Sequence, residues 1–192
     1  MKSIIIIPSR MASSRFPGKP LVKIDGIPMI QRVWEKAIAS KVGDVYVACS
    51  ETEVYDLING LGGKAILTDP NIPSGTDRIF SALKQIDKSK EIQCIINLQG
   101  DMPLINSNHI KKVIEPIKNN YLIGTVATTL KENEFTNPNV TKVLVDWKNK
   151  KIGEAKEFFR LKNDIQGEAF HHVGIYSYLT SSLLNFVNLP RS

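Results

Sequence analysis

The first two-thirds of the chain alternates between short apolar runs and longer segments in which apolar residues recur every three or four positions. The apolar runs predict strands buried on both faces of a sheet, at residues 3–7, 44–50, 64–68 and 92–98. The amphipathic segments predict helices at 28–40, 53–61 and 76–86, and a fourth from about 107 until Pro116 ends it. This repetition predicts an α/β fold with a parallel sheet and helices on both faces.

After about Tyr121 the pattern changes. Strand-like segments separated by turns follow at 122–129, 142–146, 151–158 and 170–178, with a hairpin loop at 147–150. A last helix is predicted at 180–187. We therefore expect a single domain over 1–192, made of a first part, 1–120, and a β-rich excursion, 121–192, that serves as a dimer surface or a substrate lid.

Composition narrows the class of protein. The 192 residues are 42% hydrophobic, enough for a core of ordinary size. Cys49 and Cys94 both fall in apolar runs, which predicts buried, reduced thiols. The N-terminal apolar run stops at Pro8, shorter than a signal peptide needs, and no run approaches the roughly 20 apolar residues of a membrane span. We expect a soluble, cytoplasmic protein with no membrane partner.

The positive net charge does not by itself indicate a nucleic-acid partner. The net charge of +6 is spread over the whole chain, and the densest basic cluster lacks the interleaved aromatic residues of a single-strand binder. We expect no nucleic-acid partner, because a small anionic substrate explains the same excess of cations.

The loop after the first predicted strand carries candidate chemistry. Residues 8–21 place Arg10, Arg15 and Lys19 in one connection with small residues. Cations beside free backbone N–H groups suit a polyphosphate, and this loop lies where open α/β sheets bind ligands. The sequence is neither a Walker A loop nor a GxGxxG turn. A solvated basic loop is the alternative.

A carboxylate follows the fourth predicted strand. Asp101 comes directly after Gly100, at the same edge of the sheet as the basic loop. A carboxylate there can hold Mg²⁺, which typically takes one or two carboxylates together with phosphate oxygens. The alternative is that Asp101 caps a turn or the next helix.

Two further segments have both a structural and a functional interpretation. Ser74 or Thr76 can cap the helix at 76–86, yet Gly75 can also let a planar base approach and Arg78 can face the same cleft. His171 and His172 lie on opposite faces of a predicted strand, so both cannot bind one metal from there. A strand histidine is more often structural.

These segments together match a known family. The matching motifs, in order along the chain, are Arg10-x-x-Ser13-x-Arg15-x-Pro17-Gly18-Lys19-Pro20-Leu21, Ser74-Gly75-Thr76-Asp77-Arg78, Gln99-Gly100-Asp101-x-Pro103, Asn137-Pro138-Asn139 and His172-x-Gly174-Ile175-Tyr176. In these motifs the chain closely resembles the 3-deoxy-manno-octulosonate (KDO) cytidylyltransferases, or CMP-KDO synthetases. The resemblance spans essentially the whole chain and implies a Rossmann-like nucleotidyltransferase sheet with a nucleotide-binding half at 1–120 and a sugar-binding and dimerisation part at 121–192.

The resemblance implies an activity and a partner set. The family transfers CMP from CTP to the anomeric hydroxyl of KDO, with release of pyrophosphate and with Mg²⁺, for lipopolysaccharide synthesis. Its members are usually cytoplasmic homodimers.

The resemblance also assigns roles to individual residues. It places the catalytic groups at Arg10, Arg15, Lys19 and Asp101, with Asp101 as the metal ligand. The implied CTP-binding residues are Ser9, Arg10, Arg15, Lys19, Ser74, Gly75, Arg78 and Gly100. The implied sugar-binding residues are Gln99, His172 and Tyr176.

The sequence also departs from the family's pattern. It stops at Ser192, where the family continues for some fifty residues, and Met102 stands where the family usually has Glu. Two alternatives therefore stay open. One is a truncated, inactive relative that folds only as a dimeric module. The other is a cytidylyltransferase for another acidic sugar, such as 8-amino KDO or a sialic acid.

Overall fold

The computed structural model describes residues 1–12, 16–162 and 164–190. These residues form two compact units: the first comprises residues 1–124 together with 175–192, and the second comprises 125–174. The chain returns to the first unit at Ile175, so the end of the last strand and the last helix belong there. The expected boundary at residue 120 stays a prediction.

The strands are β1 (Ser3–Pro8), β2 (Lys23–Ile24), β3 (Ile27–Pro28), β4 (Asp44–Cys49), β5 (Lys64–Leu67), β6 (Cys94–Leu98), β7 (Ile123–Thr129), β8 (Lys142–Trp147), β9 (Gly153–Phe159) and β10 (Ala169–Leu179). The helices are α1 (Met29–Ser40), α2 (Thr52–Gly60), α3 (Gly75–Ile86), α4 (Ser107–Lys112), α5 (Glu115–Lys118), α6 (Glu132–Phe135) and α7 (Thr180–Val187).

The sheet of the first unit is mostly parallel. Its strand order is β5-β4-β1-β6, and residues 175–179 of β10 pair antiparallel with β6 at the end of that series. The four parallel strands are the apolar runs of the sequence, and β1 and β6 are almost fully buried because helices cover both faces. The predicted α/β fold is confirmed.

Alternate residues of the strands face different helices. Ile4 and Ile6 of β1 pack in one cluster with residues of α3 and α7, and Tyr178 of β10 belongs to that cluster. Ser177, the neighbour of Tyr178, points to the opposite face, where its hydroxyl donates to the backbone carbonyl of Val113 at the end of α4. Helices therefore lie on both faces of this sheet.

The helix expected to end at Pro116 is in fact two helices. The segment breaks after Lys112, and α5 begins at Glu115 with Pro116 in its first turn. Proline is tolerated there because the first backbone N–H groups of a helix have no partner within the helix. The pattern also missed the short β2–β3 hairpin, in which Ile24 pairs with Ile27, and α6.

The second unit contains antiparallel strands and a buried lysine. β8 pairs antiparallel with β9 and with residues 169–171 of β10. Lys142, at the start of β8, is 1% exposed, and its Nζ donates to the backbone carbonyls of Asn137 at 2.7 Å and Arg160 at 2.6 Å. The ammonium group thus ties two loops to the strand.

Two sequence expectations concern thiols and membranes. Cys49 and Cys94 are buried free thiols, as predicted, and burial raises the pKa of each to about 11. Within the described ranges, none of the helices combines the length and the apolar character needed to cross a bilayer.

Candidate functional site

A cleft of about 460 Å³ opens at the carboxyl ends of β1 and β6, which are parallel neighbours in the first unit. Three segments line it: residues 8–10, 16, 19 and 20 at the end of β1 and after it, residues 74, 75 and 78 at the start of α3, and residues 99–101 after β6. Open α/β sheets bind their ligands at this edge. The structure therefore brings the three singled-out segments of this unit to one concave surface.

An ion pair joins the two charged segments of the cleft. Lys19 Nζ donates to Asp101 Oδ2 at 2.7 Å, although 82 residues separate them in sequence. Gly18 adopts the left-handed conformation, with φ 73°, and precedes a short 3₁₀ helix that contains Lys19 and the buried Pro20. This turn and the burial of Pro20 direct the lysine toward the end of β6.

The donor set of the cleft fits a metal that needs few protein ligands. The Asp101 side chain is 51% exposed, so its carboxylate is accessible from the cleft. Among residues 1–12, 16–162 and 164–190, no three His, Cys, Asp or Glu side chains cluster at ligating distance. Mg²⁺ is commonly held by one or two carboxylates together with phosphate oxygens. The residues present are thus compatible with a Mg²⁺–polyphosphate ligand and unsuited to an all-protein metal cage.

Arg78 is a buried cation at the floor of the cleft. It is 2% exposed, and its Nη1 donates to the hydroxyl of Thr68 and to the carbonyl of Asp69. Burial lowers the pKa of the guanidinium, while the charge of Glu51 acts in the opposite direction. Arg78 is thus held rigidly at the surface where an anionic or polar ligand would lie.

The start of α3 supports the structural interpretation of Ser74. Ser74 is the N-cap: its Oγ accepts from the backbone N–H of Asp77 at 3.1 Å and donates to the Asp77 carboxylate at 2.5 Å. Its hydroxyl is therefore engaged in the helix, although the residue lines the cleft. Arg10, on the loop after β1, donates to the carbonyl of Pro73, the residue before Ser74, at 3.4 Å.

Both glycines of the cleft pack closely against Pro8, and the contact is the tighter one at Gly100. A Cβ added to Gly100 would lie 2.8 Å from the backbone carbonyl oxygen of Pro8, and one added to Gly75 would lie 3.3 Å from Pro8 Cγ. Gly100 is required where β1 and β6 end side by side. Next to it, Gln99 Nε2 donates to the buried Asn97 Oδ1 at 2.8 Å, which orients the amide in the cleft.

The predicted site residue Tyr176 is not among the described residues that line this cleft. Tyr176 packs against the apolar cluster of α3 and α7, and burial raises the pKa of its hydroxyl. Arg15 lies outside the described residues. The predicted roles of both residues therefore stay predictions.

His172 lies in the second unit, where it is 8% exposed. Its Nε2 is 2.9 Å from Thr125 Oγ1, and its ring packs edge-on against Phe158. Burial lowers the pKa of the imidazole, which favours the neutral form. The neighbouring His171 instead contacts Glu134, with 3.1 Å between Nδ1 and Oε1.

Sequence reasoning overlooked several residues that shape the cleft. Phe16 and Pro20 line it, and Thr68 supports Arg78 from the end of β5. An aromatic residue beside the Pro17-Gly18 turn was a visible signal for Phe16. Nothing in the sequence around Thr68 indicated its contact with a side chain ten residues away.

The amino-acid sequence is similar to those of known cytidylyltransferases. A family model described as cytidylyltransferase matches residues 4–192. A 3-deoxy-manno-octulosonate cytidylyltransferase of Paramagnetospirillum magneticum is 41% identical, over 98% of this chain and 78% of the relative. The enzyme of the same name from Parvibaculum lavamentivorans is 40% identical, over 98% of this chain and 74% of its own.

A solved structure is similar as well. The structure of CMP:2-keto-3-deoxy-manno-octonic acid synthetase complexed with CTP aligns with a TM-score of 0.85 and 34% identity, and covers all of this chain and 80% of that one. The family match therefore extends over both sequence and fold. The chain belongs to the cytidylyltransferase family.

Proposed function

We propose that this chain transfers CMP from CTP to the anomeric hydroxyl of 3-deoxy-manno-octulosonate and releases pyrophosphate. The relatives and the solved neighbour named above carry this activity or this substrate in their names. The observation on which the proposal depends most is the ion pair between Lys19 and Asp101 in a cleft at the carboxyl ends of β1 and β6.

In this proposal the cations on the loop after β1 bind the triphosphate of CTP. Arg10 and Lys19 line the cleft on that loop, and we assign Arg78, at the start of α3, to the cytidine side of the nucleotide. Guanidinium and ammonium groups make charge-assisted hydrogen bonds to phosphate oxygens, which are stronger than neutral ones. They also stabilise the charge that develops on the leaving pyrophosphate. We assign Arg15 the same role by its place in the family motif.

The reaction needs no covalent intermediate. The anomeric oxygen of the sugar attacks the α-phosphorus in line, so that one P–O bond forms while the bond to the β-phosphate oxygen breaks. The hydroxyl proton goes to solvent and pyrophosphate leaves. The contribution of the protein is to hold both substrates in line and to neutralise charge.

We assign Mg²⁺ as the cofactor and Asp101 as the residue that would hold it. Bound there together with phosphate oxygens, the ion would supply charge neutralisation at the triphosphate. In the structure the ammonium group of Lys19 donates a hydrogen bond to the Asp101 carboxylate. When CTP binds, the ammonium group of Lys19 would leave this carboxylate and donate to a phosphate oxygen, which would free Asp101 to act as a ligand.

We further propose that the protein is a cytoplasmic homodimer that acts in lipopolysaccharide synthesis, as the family resemblance implies. We assign Gln99, His172 and Tyr176 to the sugar by their positions in the family motifs. This assignment depends on the motifs alone. Light scattering coupled to gel filtration measures the oligomeric state directly.

A pyrophosphate-release assay tests the proposed reaction. The protein is supplied with CTP, KDO and Mg²⁺, and an acceptor panel adds 8-amino KDO and a sialic acid in parallel. We expect pyrophosphate release that requires both CTP and KDO. Pyrophosphate release with another sugar but not with KDO would contradict KDO as the acceptor. CTP binding without pyrophosphate release for any sugar would contradict the transferase proposal.

A further inference from the structure

Glu51 is an acidic residue beside the cleft that the proposed reaction does not use. It follows β4 and occupies the N-cap position of α2, yet its side chain makes no capping hydrogen bond to that helix. Ser, Thr, Asp and Asn are the residues that favour this position, because their short side chains reach the first backbone N–H groups. Helix capping therefore does not explain the glutamate.

The carboxylate instead contacts the loop after β1. Its Oε1 accepts the backbone N–H of Met11 at 3.1 Å and the hydroxyl of Ser50 at 2.8 Å, and its Oε2 is buried. Forty residues separate Met11 from Glu51 in sequence. Burial of a carboxylate oxygen costs stability, so packing alone would favour an apolar residue here.

Met11 is the point where this loop closes on itself. Its backbone carbonyl accepts the N–H of Gly18 at 3.0 Å, while its own N–H is held by Glu51. Arg10 comes immediately before this closure and Lys19 immediately after it. One carboxylate thus fixes the base of a loop whose two flanks carry the cations of the cleft.

We propose that Glu51 is a positioning residue that holds the closure of Met11 on Gly18, and thereby sets Arg10 and Lys19 for binding of the CTP triphosphate. This inference rests on the proposed function. Glu51 touches neither substrate: it acts through the backbone N–H of Met11.

A role in positioning and a purely electrostatic effect of Glu51 predict different changes in CTP affinity. A carboxylate near a triphosphate repels it, so removal of the charge by itself would strengthen CTP binding. A role in positioning depends instead on the reach of the side chain. Glu51→Gln keeps an oxygen at the same reach and removes the charge, whereas Glu51→Asp keeps the charge and shortens the side chain by one methylene.

The Glu51→Asp variant also separates positioning from stability. Asp is favoured at the N-cap of a helix, so α2 and the fold are expected to tolerate it. Glu53→Gln, on the exposed side of the same helix, is the matched control. Titration calorimetry gives the Kd for CTP of each protein, and steady-state kinetics give the KM for CTP, the KM for KDO and kcat.

We expect Glu51→Asp to weaken CTP binding at least fivefold and to raise the KM for CTP, with the KM for KDO and the melting temperature unchanged. We expect Glu51→Gln and Glu53→Gln to bind CTP within twofold of the wild type. An unchanged Kd in Glu51→Asp would overturn the inference, as would equal losses in Glu51→Asp and Glu51→Gln. Wild-type protein that binds no CTP would instead overturn the proposed function, and the positioning role with it.

Discussion

Replacement of Lys19 by alanine tests whether this side chain contributes more to CTP binding than to the stability of the fold. In the free protein Lys19 Nζ lies 2.7 Å from Asp101 Oδ2, with the two side chains 33% and 51% exposed. Ion pairs this accessible to solvent contribute about 0–1 kcal/mol to stability. We therefore expect Lys19→Ala to lower the free energy of unfolding by less than about 1 kcal/mol.

The expected effect on nucleotide binding is larger. A hydrogen bond to a charged group contributes about 1.5–3 kcal/mol. Since Lys19 must leave the Asp101 carboxylate to bind a phosphate oxygen, we expect the lower part of that range, about 1.5–2 kcal/mol. This corresponds to a Kd for CTP about 10- to 30-fold higher than in the wild type.

Titration calorimetry measures this Kd, and urea unfolding measures the stability of the same samples. Lys23→Ala removes an exposed lysine of β2 outside the cleft and serves as the matched control for net charge. A Kd for CTP within threefold of the wild type in Lys19→Ala would refute the reasoning. Equal losses of affinity in Lys19→Ala and Lys23→Ala would refute it as well, since only general electrostatics would then be at work.

Three further changes test other parts of the account. Gly100→Ala places a Cβ against the carbonyl oxygen of Pro8, so overpacking should lower stability by about 1–3 kcal/mol, measured by urea unfolding. Lys142→Met leaves two partly buried backbone carbonyls without their donor, and should cost about 1–3 kcal/mol in the same assay. Burial lowers the pKa of His172 from its usual value of 6.5, so the unfolded chain takes up that proton more readily and stability should fall as the pH drops below about 6.5 toward the pKa of the folded imidazole. Unfolding curves at several pH values should show a smaller fall in His172→Gln, and an identical fall would contradict the burial argument.

The sequence predicted most of the sheet because burial on both faces leaves a strong local signal. β1 is a continuous apolar run, and the amphipathic pattern of 28–40 corresponds closely to α1. The β2–β3 hairpin has strands of two residues, too short to show any period. Pro116 was misread because proline is compatible with the first turn of a helix as well as with a helix end.

The site was predictable only in part, since a sequence shows which residues follow strands but not which side chains meet. Lys19 and Asp101 could be expected near one another because β1 and β6 were expected to end at one edge. Glu51 could not be found this way, because its partner is a backbone N–H forty residues away. Its sequence context indicated only the start of α2.

In the proposed mechanism a triphosphate and a magnesium ion share the Asp101 end of the cleft with Lys19. The most direct test is the Kd for CTP of wild type and Asp101→Asn, each measured by calorimetry with Mg²⁺ and with EDTA. With EDTA, loss of a carboxylate beside the phosphates should leave CTP binding equal or stronger. With Mg²⁺, loss of the metal ligand should weaken it at least tenfold. The same ratio of variant to wild-type Kd in both conditions would contradict the claim.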